Sequence, residues 1–192
     1  MEIVQYPHPT LRHKSKPLRR VDAELKKIIA QMFELMYEAQ GIGLAANQVD
    51  MPLQFFIVNT AGKAGEGEEL VFINPVLSKA KGSEEAEEGC LSIPGLYGKV
   101  IRPKQINLTA YDLQGREIGA TLDGLLARVI QHEFDHLQGV LFVDRMSDAA
   151  RVKAALALEE FEIDFNSHRQ LGQIPSDEEI AQRLKQLEQV YA

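Results

Sequence analysis

Between Asp22 and Gln40 the apolar residues Leu25, Ile28, Ile29, Met32, Phe33 and Met36 recur at intervals of one, three and four, the spacing that lines one face of an α-helix. Asp22 stands where an N-cap acceptor belongs and Gly41 lies just past the end, so the pattern predicts an amphipathic helix over 22–40. The texture then changes. β-branched and aromatic runs bounded by turn residues predict strands at 53–59 (LQFFIVN), 70–77 (LVFINPVL), 105–112 (QINLTAYD) and 116–122 (REIGATL). The last two are joined as a hairpin through Leu113, Gln114 and Gly115. Residues 60–70, TAGKAGEGEEL, read as a solvated loop. Helical periodicity returns over 125–137 and 147–165. Beyond Pro175, Ser176 and Glu179 have capping-box spacing, and Ile180, Leu184, Leu187 and Tyr191 share one face. That predicts a short terminal helix packed on its parent domain. Helix, then strands, then helices is the order of an α+β fold and not of alternating βαβ units.

At 192 residues and 45% hydrophobic positions the chain suits one domain with a core of its own, and its single cysteine, Cys90, allows no internal disulfide. No apolar run approaches a membrane span, and MEIVQYPHPT lacks the basic-then-apolar pattern of a secretory leader, so we expect a soluble, cytoplasmic protein without membrane contacts. Lys and Arg total 21 against 28 Asp and Glu, a formal charge of −7. This balance argues against affinity built on unspecific phosphate contacts, and no direct nucleic-acid site is expected.

The chemistry is concentrated in Gln131-His132-Glu133-Phe134-Asp135-His136, an H-E-x-x-H motif within a helical stretch. Four residues separate the two imidazoles, so they stand one turn apart on one face and can grip one cation, with Glu133 placed to handle a proton on water. Leu125 and Val129 continue that stripe backwards, giving the histidines an apolar wall. A catalytic metal needs a third protein ligand. The chain has Gly139 but Phe142 where a further histidine would complete the long metalloprotease motif. Glu159 and Glu160 lie at a peptidase-like distance downstream, in an acidic helix that reads equally as a solvated face. Cys90, in Glu87-Glu88-Gly89-Cys90-Leu91-Ser92-Ile93-Pro94-Gly95, is the remaining candidate, the one thiol in a turn-rich setting. Spacing alone leaves three readings: a Cys-dependent hydrolase, a zinc peptidase using Glu159 or Glu160, and a binding domain whose metal site is closed by a fourth protein ligand.

Three segments, GIGLAANQ at 41–48, EGCLS at 88–92 and QHEFDHLQG at 131–139, together resemble the signature segments of peptide deformylases in order and separation. The similarity runs from YPHPTLR near the amino terminus to the helix ending near Phe165. It implies antiparallel β-sheets packed around a central H-E-x-x-H helix, with an N-terminal helix and C-terminal helices. We divide the chain into a catalytic core, 1–146, and a C-terminal helical extension of the same domain, 147–192.

Carried over residue by residue, the resemblance implies removal of the N-formyl group from the initiator formyl-methionine of new polypeptides. A divalent metal would be held by Cys90, His132 and His136. Fe(II) is the family's usual metal, while Zn, Ni or Co satisfy the same donors. Metal-bound hydroxide would attack the formyl carbon. Glu133 would act as general base and then acid, and the Gln48 amide with the Leu91 backbone N–H would face the oxyanion. Ile42, Gly43 and Gly89 would pair with the N-formylmethionyl peptide as an added strand. The methionine pocket would comprise Ile42, Leu125, Val129 and the wall around His132, with Arg128 either lining it or standing at its rim. Gly95-Leu96-Tyr97-Gly98 offers no charge to downstream substrate residues. Residues 147–192 hold five Lys or Arg (Arg151, Lys153, Arg169, Arg183, Lys185) against nine Asp or Glu, which counts against a basic ribosome-docking helix.

Overall fold

The computed structural model describes residues 1–192 and contains four α-helices and seven strands. The helices are α1 (Ala23–Glu38), α2 (Gly124–Leu137), α3 (Asp148–Gln170) and α4 (Asp177–Tyr191). The strands are β1 (Gly43–Ala45), β2 (Phe55–Val58), β3 (Leu70–Lys81), β4 (Glu84–Cys90), β5 (Ile93–Arg102), β6 (Gln105–Tyr111) and β7 (Glu117–Asp123). One antiparallel sheet runs β1-β2-β3-β6-β7, and β4 pairs with β5 as a separate ribbon. The architecture is α+β, as the element order implied.

Strand β2, Phe-Phe-Ile-Val, shows why the sheet is buried on both faces. Phe55 and Ile57 pack with Leu25, Ile29, Met32, Phe33 and Met36 of α1, whereas Phe56 and Val58 pack with Ala127, Val129, Ile130 and Leu137 of α2. Period-two alternation sends neighbouring side chains to opposite faces, so a strand with a helix on each side must be apolar throughout. Both phenylalanines are fully buried, each worth about 1.5–3 kcal/mol relative to exposure. A third cluster, Leu11, Ile93, Val100, Leu141, Phe142, Val143 and Met146, joins β5 to the chain that follows α2 and includes Ala154 of α3.

The predicted helices and strands all form, with shifted ends. Asp22 caps α1, accepting from the Leu25 N–H at 2.9 Å, but the left-handed residue after the helix is Gln40 (φ 58) and not Gly41. Strands β1, β4 and β5 carry no sequence signal strong enough to predict them. β1 has three residues, β4 reads Glu-Glu-Ala-Glu-Glu-Gly-Cys, and β5 contains Pro94, Gly95 and Gly98. No helix is long and apolar enough to cross a membrane.

The C-terminal helices fold back on the amino-terminal segment. The apolar face of α4 is buried at Ile180, Leu184 and Tyr191, with Tyr191 in the α1 cluster. His8, 7% exposed, meets the Phe165 ring edge-on at 6.1 Å. Burial, with the charges of Arg183 and Arg169 beside it, lowers the His8 pKa to about 4. The folded value lies below the unfolded one, so this residue's contribution to stability is complete above about 6.5 and is lost as pH falls through about 4. Thermal melts at pH 7.5 and 4.5 should therefore show an acid-induced loss that is smaller in His8→Gln. An identical loss in the variant would remove His8 from the account.

Candidate metal and catalytic site

Helix α2 brings His132 and Glu133 to a groove of about 800 Å³, with His136 buried one helical turn beyond His132, and β4 delivers Cys90 to the same groove. The Cys90 sulfur and one ring nitrogen from each histidine lie within 4.8 Å of one another, with Sγ 3.2 Å from His136 Nε2. Sulfur and nitrogen ligands of a single tetrahedral cation stand about 3.5 Å apart, so the donor set fits a divalent ion. Of the two rival third ligands, Glu159 and Glu160 are exposed on α3 and lie outside this cluster.

Hydrogen bonds and burial orient the donors. His132 directs Nδ1 to Glu88 Oε2 at 3.1 Å, leaving its other nitrogen for the site. In the metal-free chain burial favours the neutral His132 ring, but hydrogen bonds to Cys90 and Glu88 outweigh it and raise its pKa to about 10. A cation bound there would take the place of that extra proton. Burial and the neighbouring His132 charge push His136 well below its usual range, which keeps it neutral. Two N–H groups point at the sulfur, from Gln48 Nε2 at 3.5 Å and the Ser92 backbone at 3.4 Å.

Glu88 is a site residue that the sequence did not single out. Burial would raise its pKa, but His132 and Arg102 hold it down at about 2. Arg102, 3% exposed, donates to both Glu88 oxygens at 2.6 and 2.9 Å and to Asp135 at 2.8 Å. Arg145 pairs with the same Asp135 from the other side. The network ties β4, β5 and α2 together behind the histidines. Removing one member leaves a buried charge unpaired, at a cost of about 3–5 kcal/mol. In sequence, Glu88 sits in an acidic run that looks solvated, and nothing around Arg102 marks it as buried.

Arg128 is now placed. Its side chain lies along the groove wall while its guanidinium binds Glu88 at 2.7 Å and the carbonyls of Val100 and Glu84. With Arg128 engaged by Glu88 and Arg145 by Asp135, neither forms a salt bridge with Glu133. Glu133 is 3% exposed and its Oε2 has no partner. Burial, ahead of nearby charges, raises its pKa to about 7.

The remaining predicted residues meet at the same groove. Gln48, on the 3-10 turn Ala46–Val49, is almost fully buried. Its Oε1 accepts from the Ala45 N–H at 2.8 Å, which turns Nε2 towards Cys90 and Ser92. Ile42, Gly43, Gly89, Leu91, Leu125 and Val129 line the groove, with Val129 buried and Leu125 exposed at the mouth. β1 is an edge strand of its sheet, so a peptide can add alongside it. Gly43 is needed there for space, because a Cβ would stand 2.5 Å from Glu133 Oε1 and 2.8 Å from Val129 Cγ1.

A family model described as polypeptide deformylase matches residues 1–152. The chain is 49% identical over 191 residues to a peptide deformylase of Rhodopirellula baltica, covering 100% of this chain and 95% of that one. It is 49% identical over 149 residues to the chloroplastic peptide deformylase 1B of Solanum lycopersicum, covering 77% of this chain and 53% of the relative. Among solved structures, a plant peptide deformylase 1B superposes with a TM-score of 0.86 at 41% identity, covering 92% of this chain and 95% of that one.

Proposed function

The chain belongs to the polypeptide deformylase family and is a deformylase enzyme, and from that premise we propose how its own residues remove the formyl group from nascent peptides. The observation that carries the mechanism is a buried carboxylate, Glu133, whose Oε2 has no hydrogen-bond partner, set beside a Cys90, His132 and His136 donor cluster. Those three residues would hold one divalent ion, Fe(II) by family resemblance. When bound, the ion supplies a Lewis acid that brings the pKa of a water from 15.7 towards about 7.

The formylated amino terminus enters along the free edge of β1, with Gly43 and Gly89 offering backbone to it and Ile42 flanking them. The methionine side chain is taken up among Ile42, Leu125, Val129 and the wall of His132, with the aliphatic stem of Arg128 completing it. Glu133 accepts a proton from the attacking water and returns it to the departing amine, its buried Oε2 being free of protein partners. Gln48 Nε2 and the Leu91 N–H face the oxygen of the formyl carbonyl as charge develops on it. Residues 1–146 form the catalytic core on this reading, with 147–192 as its helical extension.

The test is formate release from formyl-Met-Ala-Ser by anaerobically purified protein, with metal analysis of the same sample. We expect one equivalent of metal and formate release without peptide-bond cleavage. Peptide cleavage that depends on Glu160, or stoichiometric metal with neither reaction, would overturn the proposal.

A further inference from the structure

Helix α4 lies beyond the residues matched by the family model, yet its Arg183 reaches the turn that carries Gln48. That turn, Ala46–Val49, is closed by Asp50 in the left-handed region at φ 63, with the Asp50 N–H bonded to the Asn47 carbonyl at 3.2 Å. A non-glycine residue there is uncommon, and aspartate is tolerated because its side chain readily finds a hydrogen-bond partner. Here the partners are remote in sequence. One Asp50 oxygen accepts from the hydroxyl of fully buried Thr10, and the other pairs with the Arg183 guanidinium. Ile180 and Leu184 are buried to either side of Arg183 in sequence and anchor its helix.

The same C-terminal packing supports the other side of Gln48. The Gln48 carbonyl accepts from the Val4 N–H at 2.8 Å, and Ser92, which receives Gln48 Nε2, has its carbonyl bonded by the Tyr6 N–H at 2.9 Å. The amino-terminal segment that makes these bonds is held by α3 and α4. Tyr6 donates to Glu162 at 2.7 Å, His13 meets Glu188 at 2.7 Å, and the Arg19 N–H reaches the Tyr191 carbonyl at 2.8 Å.

We propose that Arg183 is a positioning residue for Gln48, acting through Asp50 at the end of the turn that aims the Gln48 amide. The inference rests on the reading of Gln48 as an oxyanion donor. Arg183 is about half exposed, and ion pairs of that kind add little to global stability. Its loss therefore leaves the fold intact and changes the direction of an amide that must meet a developing charge.

The test uses metal-loaded full-length protein and formyl-Met-Ala-Ser. Arg183→Ala should lower kcat about tenfold, short of the ~10²-fold that a full ångström of misplacement costs, with KM unchanged. Arg183→Lys should recover most of the loss. Asp177→Asn, which removes the ion pair of α4 with Arg169 and touches neither Asp50 nor the amino-terminal segment, should retain wild-type kcat at a comparable melting temperature. Hydrogen exchange should rise in residues 46–51 of Arg183→Ala and not in Asp177→Asn. Gln48→Ala should lower kcat by about 10²–10³, and adding Arg183→Ala to it should cost nothing more, because the group being aimed is gone. A wild-type kcat in Arg183→Ala, or a further loss in the double variant, overturns the positioning role while leaving Gln48 as the donor. A wild-type kcat in Gln48→Ala overturns the oxyanion reading and the inference with it.

Discussion

Cys90→Ser is expected to lose both bound metal and deformylation. The site presents one sulfur and two imidazole nitrogens, with His136 Nε2 3.2 Å from the sulfur and two N–H groups directed at it. A thiolate bound to a metal ion would keep those two hydrogen bonds. A serine hydroxyl stays protonated at neutral pH and is a harder, weaker ligand, so the replacement removes a formal charge from the donor set. Two histidines then remain, and the hydrogen bonds aimed at the thiolate meet a neutral group. Metal content measured after dialysis should fall well below one equivalent, and formate release should fall with it. Because an ion bound only by the folded state stabilises that state by mass action, the variant should also melt like the chelated wild type. Retention of a full equivalent of metal and of activity in Cys90→Ser, with both lost in Glu160→Ala, would instead establish the peptidase arrangement.

The contrast between these residues and the scaffold around them explains what the sequence could reveal. Helices α1 and α2 were legible because each turns one apolar stripe to the sheet, and β2 because burial on both faces leaves an unbroken apolar run. His132, Glu133 and His136 were legible as a candidate site because spacing along a helix converts directly into geometry. The ribbon that carries Cys90 was not. β4 is polar on an otherwise exposed strand, and its one buried side chain, Glu88, is a carboxylate that meets His132 Nδ1. A buried carboxylate and a solvated one are the same letter in a sequence. Their difference lies in Arg102, fourteen residues away in the chain and 2.6 Å away in space. The contacts of α4 with Asp50 and His13 are equally nonlocal, and the sequence showed its packing face without its destination.

Glu133→Gln should retain metal and lose turnover by about 10²–10⁴, the usual contribution of a general acid-base group. Gln matches Glu in shape, so the donors on either side keep their positions, while the amide can neither take a proton from water nor return it to the amine. The substitution has a second signature that a purely structural carboxylate would not give. In the metal-free protein, burial raises the Glu133 pKa from 4.5 to about 7. With the folded value above the unfolded one, ionisation opposes folding. Stability linked to this group is complete below about 4.5 and is lost as pH rises through about 7, at about 1.4 kcal/mol for each unit of difference. Chelated Glu133→Gln should therefore melt close to chelated wild type at pH 5 and above it at pH 8. Formate release, metal analysis and these two melts together separate the roles. Loss of metal in Glu133→Gln would make the carboxylate a ligand or a scaffold for one, and a lower melting temperature at pH 8 would mean that its ionised form is held by partners that stabilise the fold.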